Sequence, residues 1–303
     1  MKKTIRIGTR DSELALWQAN TVKNQLEHLG YNTQLVPVKS EGDLILDKPL
    51  YEMGITGIFT KTLDVAMIKG VVDIAVHSMK DVPTQLPNGI IQTAVLERAT
   101  SEDILVTIDE FDYENPCTIA TGSLRRQAQW LHRYPNHKVV DLRGNVNTRL
   151  QKLKDNNWEG AIFAKAGLQR INLLPEKAIS LDWMLPAPAQ GAMVIVALES
   201  DEFSIEATSQ LNNSTAEICT HIEREFLRTL EGGCTAPIGA FAEIIGEEIL
   251  FKGCLFSLDG KTKLEIEKKV AISNYKGFGK ECAIFILKSG GSELMLSIKS
   301  QMK

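Results

Sequence analysis

The sequence predicts an α/β fold followed by a small α+β domain. Three observations carry this: strand and helix patterns alternate through the first two-thirds of the chain, a second such series starts at Thr118, and the pattern changes after Ser214. At 303 residues the chain exceeds what one hydrophobic core organises, so two or three domains are expected. The elements themselves give a count of three.

Residues 5–8 read as extended, and Ala15, Ala19, Val22, Leu26 and Leu29 then form one stripe at helical spacing, which Gly30 stops. A second strand is expected over 33–39. Phe59, Leu63 and Met67 form a helical stripe ending at Gly70, and 73–77 is a third strand. This βαβ rhythm predicts a parallel sheet. The string Val82-Pro83-Thr84-Gln85-Leu86-Pro87-Asn88-Gly89 is too rich in breakers for regular structure and reads as a loop beyond a strand end, where ligands of α/β sheets bind.

The second series has strands at Thr118–Ala120, 138–142 and Gly160–Ala164, each followed by a helix; after Arg143, Val146, Leu150 and Leu153 share one helical face. Leu185-Pro186-Ala187-Pro188-Ala189-Gln190-Gly191 reads as a hinge, and Met193–Leu198 as a strand able to rejoin the first sheet. Ser214-Thr215-Ala216-Glu217 matches a capping box ahead of Ile218, Ile222, Phe226 and Leu230, and Gly232-Gly233 ends that helix. Alternating short strands with a turn at Asp259-Gly260, then a helix near 275–287, complete an α+β domain. The expected division is domain 1 at 1–97 with 193–211, domain 2 at 98–192 and domain 3 at 212–303.

Composition narrows the function. With 44% hydrophobic and 24% charged residues the chain is ordinary globular protein, and a net charge of −4 argues against nucleic-acid or anionic-membrane binding, which need a basic field. Charged residues at Arg10 and Asp11 interrupt the amino terminus before a signal-peptide core forms, and no apolar run approaches the roughly 20 residues of a membrane span. The five cysteines, Cys117, Cys219, Cys234, Cys254 and Cys282, have no C-x-x-C spacing, so neither zinc nor a dithiol pair is indicated and a reducing compartment fits.

Six of the eleven arginines lie between Arg125 and Arg170. Arg125 and Arg126 follow Thr121-Gly122-Ser123, Arg143 precedes Gly144, and Arg149 comes shortly after; strand-to-helix turns of this kind present guanidinium forks and free helix N–H groups to carboxylate or phosphate. Spacing alone equally allows solvated helix faces. Neither a nucleotide P-loop nor a G-x-G-x-x-G motif is present, which disfavours nucleotide chemistry. His77-Ser78-Met79-Lys80-Asp81 carries a strand into a dense polar cluster in which a carboxylate can exchange protons with a substrate nitrogen, although on the segment alone Lys80 and Asp81 read as a solvated pair and His77 as structural. Cys234, after Gly232-Gly233 and before Pro237, falls on a loop, where a thiolate can act as nucleophile; the other four cysteines read as small buried hydrophobes.

Taken together the motifs resemble the porphobilinogen deaminase family, from Ile7 to about Gly253. Those that carry the resemblance are Thr9-Arg10-Asp11-Ser12-Glu13-Leu14-Ala15, Gly42-Asp43, Phe59-Thr60-Lys61, His77-Ser78-Met79-Lys80-Asp81 and Thr121-Gly122-Ser123-Leu124-Arg125-Arg126. They continue with Leu142-Arg143-Gly144-Asn145-Val146, Thr148-Arg149, Ala166-Gly167-Leu168 with Arg170, Gln190-Gly191-Ala192, and above all Leu230-Glu231-Gly232-Gly233-Cys234 before Pro237-Ile238-Gly239. The resemblance implies two doubly wound domains like those of type II periplasmic binding proteins, plus a third domain carrying the cofactor.

It further implies a transferase of tetrapyrrole biosynthesis: a dipyrromethane joined by a thioether to Cys234 is extended by four porphobilinogen units with loss of ammonia, and hydroxymethylbilane is released. Asp81 matches the family's catalytic acid. Lys80, Thr121, Ser123, Arg125 and Arg126 match cofactor-holding positions, and Arg10, Ser12, Arg143, Arg149, Arg170 and Gln190 match positions that hold the substrate and growing polypyrrole. No metal, nucleic acid or membrane takes part, and a cytoplasmic monomer is expected. Three positions and one run depart from the family pattern: Thr56 stands where lysine is common, Asp64 where glutamate is, Ala189 where glycine is, and Ala99-Thr100-Ser101-Glu102-Asp103 replaces an acidic-Asp-Pro-Arg-Asp run. Two rival readings remain on the residues alone, a non-catalytic anion-binding protein and a cysteine-dependent acyl transferase.

Overall fold

The computed structural model describes residues 3–38, 60–230 and 236–302. Phe59, Thr56, Gly42, Gly232, Gly233 and Cys234 lie outside them. In chain order the first elements are β1 (Thr4–Thr9), α1 (Glu13–His28), β2 (Asn32–Pro37), α2 (Lys61–Ile68), β3 (Ile74–Ser78), β4 (Ile90–Val95) and β5 (Asp103–Thr107). Next come β6 (Thr118–Ala120), α3 (Leu124–Arg133), β7 (Lys138–Val140), α4 (Val146–Asp155), β8 (Gly160–Ala164), α5 (Lys165–Arg170) and β9 (Ile179–Ser180). The chain continues through β10 (Met193–Leu198), α6 (Glu202–Ser209), α7 (Ser214–Thr229), β11 (Ile238–Ile245), β12 (Glu248–Phe256), β13 (Lys263–Ala271), α8 (Phe278–Ile286) and α9 (Ser292–Gln301). Among the described residues no helix is long and apolar enough to cross a membrane.

The described residues fall into two compact units. The first comprises 3–38, 60–99 and Gly191–Glu217. Its five-stranded sheet has the order β2-β1-β3-β10-β4, with β1 parallel to β2 and β3, and β10 antiparallel to both of its neighbours. Residues 74–77 and 193–197 are buried throughout, as expected for central strands covered on both faces. Ile5, Ile7, Val22, Leu26, Ile74 and Ile195 form one core, and Leu63 and Met67 of α2 are also buried.

The second unit contains Thr100–Gln190 and the described residues from Ile218 onward. Its five-stranded sheet, β7-β6-β8-β5-β9, repeats the strand directions of the first: β6 lies between two parallel neighbours, β7 and β8, and β5 runs antiparallel to β8 and β9. Ile104, Ala161, Phe163 and Leu168 belong to one core of this sheet, and Leu105, Ile119, Ile162 and Trp130 to another. The carboxyl-terminal part is an antiparallel three-stranded sheet, β11-β12-β13, packed with helices through Ile222, Phe226, Phe251 and Cys282.

Several expectations need correction. In α1 the buried stripe is Gln18, Ala19, Val22 and Leu26, while Leu29 is 43% exposed; Gln18 turns inward because its amide donates to Ser78 Oγ at 2.7 Å. Asn213, not Ser214, caps α7: its Oδ1 accepts from Ala216 N at 2.9 Å, and Glu217 accepts from Asn212 at 2.8 Å. The last predicted helix begins at Phe278, after left-handed Gly277, and α9 follows it unannounced. Periodicity assigns no strand to β4 or β5, and β5 opens on a charged residue, Asp103.

Candidate active site

In the first unit the predicted residues gather at the carboxyl ends of parallel strands. β1 ends at Thr9, so Arg10 and Ser12 occupy the turn into α1, where Ser12 Oγ caps the helix by accepting from Ala15 N at 3.4 Å. β3 ends at Ser78 and runs into a 3₁₀ turn, Met79–Asp81, which sets Lys80 and Asp81 at that same sheet edge. Both are half-buried. His77 is buried on β3 with Nε2 lacking a hydrogen-bond partner among the described residues. Burial, helped by the charge of Arg10, depresses its pKa to about 4, so it is neutral at physiological pH.

The second unit repeats this placement. Thr121-Gly122-Ser123 follows β6, with Ser123 as the N-cap of α3 and its N–H donating to Thr121 Oγ1 at 3.3 Å. A side chain at Gly122 would meet Leu142 O at 2.6 Å, so glycine lets the turn after β6 lie against the turn after β7. That second turn carries Arg143 and Gly144, whose φ of +111° is a left-handed value that glycine adopts freely. Asn145 then caps α4 by accepting from Thr148 N at 2.9 Å, and Arg149 sits on this helix. Arg170 is the last residue of α5, after β8.

Desolvation lowers the pKa of Arg143, partly countered by Asp141, and that of Arg170 to about 10. The Arg143 and Arg149 charges both act on Asp141, whose own pKa desolvation raises. Guanidinium groups held away from water in this way gain from an incoming carboxylate.

Arg125, Arg126 and Gln190 converge on a residue the sequence reading did not single out, Asp103 at the start of β5. Asp103 is fully buried. Arg126 donates to its Oδ1 from Nε at 3.0 Å and Nη2 at 2.7 Å, and from Nη1 to Ile162 O at 3.0 Å. Arg125 Nη1 lies 2.7 Å from Asp103 Oδ2 and donates to Leu185 O at 2.8 Å. Gln190 is fully buried, its amide donating to Ser101 O at 2.7 Å and Asp103 Oδ1 at 2.9 Å, which makes it an internal brace. Desolvation works to raise the Asp103 pKa, but the two arginines and Gln190 outweigh it and hold the carboxylate below its ordinary range. In the sequence Asp103 stands out only as the last residue of the Ala99–Asp103 run, where it keeps the final Asp of the family pattern; that it opens a buried strand is seen in the structure alone.

Two buried donors of this set, Arg125 Nε and Arg143 Nη1, lack hydrogen-bond partners among the described residues. Buried N–H groups in that condition suit a ligand that brings carboxylates, as a dipyrromethane with acetate and propionate arms does. Among the described residues there is no group of three or more His, Cys, Asp or Glu side chains able to hold a metal.

These features define the class: an α/β protein with two five-stranded sheets, each presenting cationic and hydroxyl side chains at the carboxyl ends of its parallel strands. Residues 5–206 match the family model described as "Porphobilinogen deaminase, dipyromethane cofactor binding domain", and residues 217–288 match "Porphobilinogen deaminase, C-terminal domain". The chain belongs to the porphobilinogen deaminase family. It is 40% identical over 300 residues to the porphobilinogen deaminase of Campylobacter hominis, covering 96% of this chain and 97% of that one. Against the Chloroherpeton thalassium porphobilinogen deaminase it is 38% identical over 311 residues, covering 99% of each.

Solved structures with a slighter likeness include the VFT2 domain of Bordetella pertussis BvgS, with a TM-score of 0.40, 11% identity and coverage of 69% of this chain and 86% of that one. An ancestral cationic amino acid solute binding protein matches with a TM-score of 0.42, 14% identity and coverage of 69% and 87%. The fold described above rests on strand order and register, independently of them.

Proposed function

We propose that this chain is a hydroxymethylbilane synthase, a transferase that condenses four porphobilinogen molecules stepwise onto a covalently held dipyrromethane, releases ammonia at each step and finally frees the linear tetrapyrrole. The observation that carries this is the near full-length match to the porphobilinogen deaminases, whose cofactor-binding model spans 5–206. When bound, the dipyrromethane supplies the electron-rich pyrrole carbon from which the product is extended.

The roles assigned to the chain's own groups come from the family positions they match, and their chemistry suits those roles. Cys234 provides the thiolate that holds the cofactor. Asp81, at a strand end beside Lys80, accepts hydrogen bonds from pyrrole N–H groups, steadies the positive charge that develops there and moves protons as ammonia leaves. Lys80, Thr121, Ser123 and Arg125 hold cofactor carboxylates; Arg126, whose guanidinium is occupied by Asp103 and Ile162, contributes its charge and fixes Asp103. Arg10, Ser12, Arg143, Arg149 and Arg170 hold the substrate's acetate and propionate groups, with Gln190 bracing the site from inside. The fit is one of number as well as charge, since every added pyrrole brings two more carboxylates for bidentate forks to pin.

We further propose that the carboxyl-terminal residues 212–303 form the cofactor-carrying domain, and that the protein works as a cytoplasmic monomer without nucleic acid. A net charge of −4 speaks against nucleic-acid binding, and four free, buried cysteines suit a reducing compartment.

The test is the intact mass of the purified chain beside Cys234→Ala, with Ehrlich's reagent as a colour test for bound pyrroles. A dipyrromethane-sized mass excess in the wild type, absent from the variant together with turnover, is expected. An unmodified wild-type mass after incubation with porphobilinogen overturns the reading in favour of an anion-binding protein.

A further inference from the structure

Among the described residues, the proposed roles leave one fully buried carboxylate unused. Glu223, on α7, is 0% exposed. It accepts two backbone hydrogen bonds from different parts of the second unit: Ala189 N donates to Oε2 at 2.6 Å, and Ala242 N, on β11, donates to Oε1 at 2.7 Å. Ala189 is one of two non-glycine residues with positive φ among the described residues, at +63°, a conformation in which its Cβ is crowded. A buried carboxylate joined to two main-chain donors holds such a turn firmly, because leaving either buried N–H unpaired is costly.

The segment that contains Ala189 is tied at every stage. Leu185 O accepts from Arg125 at 2.8 Å and from Gln129 at 2.9 Å, and Leu185 N donates back to Gln129 Oε1 at 2.8 Å. Ala240 N donates to Pro186 O at 3.0 Å. Immediately after Ala189, the Gln190 amide reaches Asp103, which in turn holds Arg125 and Arg126. A continuous strap thus runs from Glu223 through 185–190 to the Asp103–Arg125 pair. Its other anchors are α7 and β11, and in the chain α7 leads into, and β11 leads out of, the segment that carries Cys234.

We infer that Glu223 is a positioning residue that, by clamping the left-handed Ala189 turn to β11, sets the elements flanking Cys234 in register with the arginines that receive the cofactor's carboxylates. It touches no reacting group. This rests on the proposed function, and it assigns to Glu223 and to the Ala189–Gln190 turn a part in cofactor loading that the strand-end residues do not explain.

The experiment follows the gain of pyrrole mass when the freshly expressed chain is incubated with porphobilinogen, with circular dichroism and Tm recorded on the same samples. Glu223→Gln keeps the volume but offers one carbonyl oxygen and an NH₂ donor where two backbone N–H groups need acceptors. It is expected to remain folded and to load about tenfold more slowly, as a misplaced receiving group does. Ala189→Gly on top of it is expected to restore most of the lost rate, because glycine holds the left-handed turn without a clamp.

A Glu223→Gln chain that loads like the wild type, or one whose defect Ala189→Gly leaves untouched, overturns the inference. If Glu223→Gln fails to fold, Gln190→Leu serves instead: it keeps both Glu223 hydrogen bonds and cuts the strap from Asp103, slowed loading supports the inference, and wild-type loading overturns it. A wild-type chain that itself gains no mass and shows no turnover overturns the functional reading instead.

Discussion

At Asp103 a single carboxylate is taken wholly out of water, and desolvation of this kind is only sustained where the geometry of the answering charges is good. Two guanidinium groups and a buried amide supply that geometry, which also explains why Arg125 and Arg126 are adjacent: successive residues in the first turn of a helix reach one acceptor from two directions. Asp81 is different in kind, half-buried at a strand end. Asp81→Asn is expected to keep the bound pyrrole mass and lose about a hundredfold or more in kcat, the usual worth of a positioned proton-transfer group; steady-state kinetics beside intact mass checks this.

His77 gives a second residue-scale expectation. Its folded pKa of about 4 lies below the unfolded value of about 6.5, so between those limits the unfolded chain binds more protons and stability falls as pH drops. The loss amounts to about 3 kcal/mol by pH 4. Asp64, raised by burial to about 6, titrates over part of that range with the opposite sign. Urea unfolding of His77→Leu at a series of pH values, set against the wild type, therefore isolates the histidine: the variant is expected to lose this fall in stability.

Among the elements, the strand-to-helix turns matter most. Gly122 allows two such turns to touch, and a methyl group there meets a backbone oxygen that cannot swing aside. Gly122→Ala is expected to destabilise by about 1–3 kcal/mol and to raise KM for porphobilinogen, because the turns bearing Ser123 and Arg143 must part; thermal melts and kinetics on one preparation check both. These turns were legible in the sequence, since glycine and a polar cluster after a short apolar run are local signals. β4 and β5 were not, because their identity depends on the partners beside them. The α7 cap shifted by one residue for a similar reason: asparagine and serine both cap well, and the backbone path chose between them.

For the whole molecule, a net charge of −4 coexists with a cationic cluster between Arg125 and Arg170. The attraction of the substrate's two carboxylates to that cluster is screened by salt, so KM is expected to rise with ionic strength while kcat changes little, a dependence read from kinetics in graded sodium chloride.

By itself the sequence determined the α/β class, the two βα series, the family motifs and the placing of Asp81 and most arginines at strand ends. Each of these is written in periodicity or turn chemistry over a few neighbouring residues. Only the tertiary structure decided that β10 lies between β3 and β4, that Asp103 is the partner of Arg125 and Arg126, that Gln190 faces inward, and that Glu223 clamps the turn at Ala189. Those are contacts between residues far apart in the chain, and which of them form is settled by how buried surfaces pack and which buried donors must find acceptors, not by any pattern a short window of sequence contains.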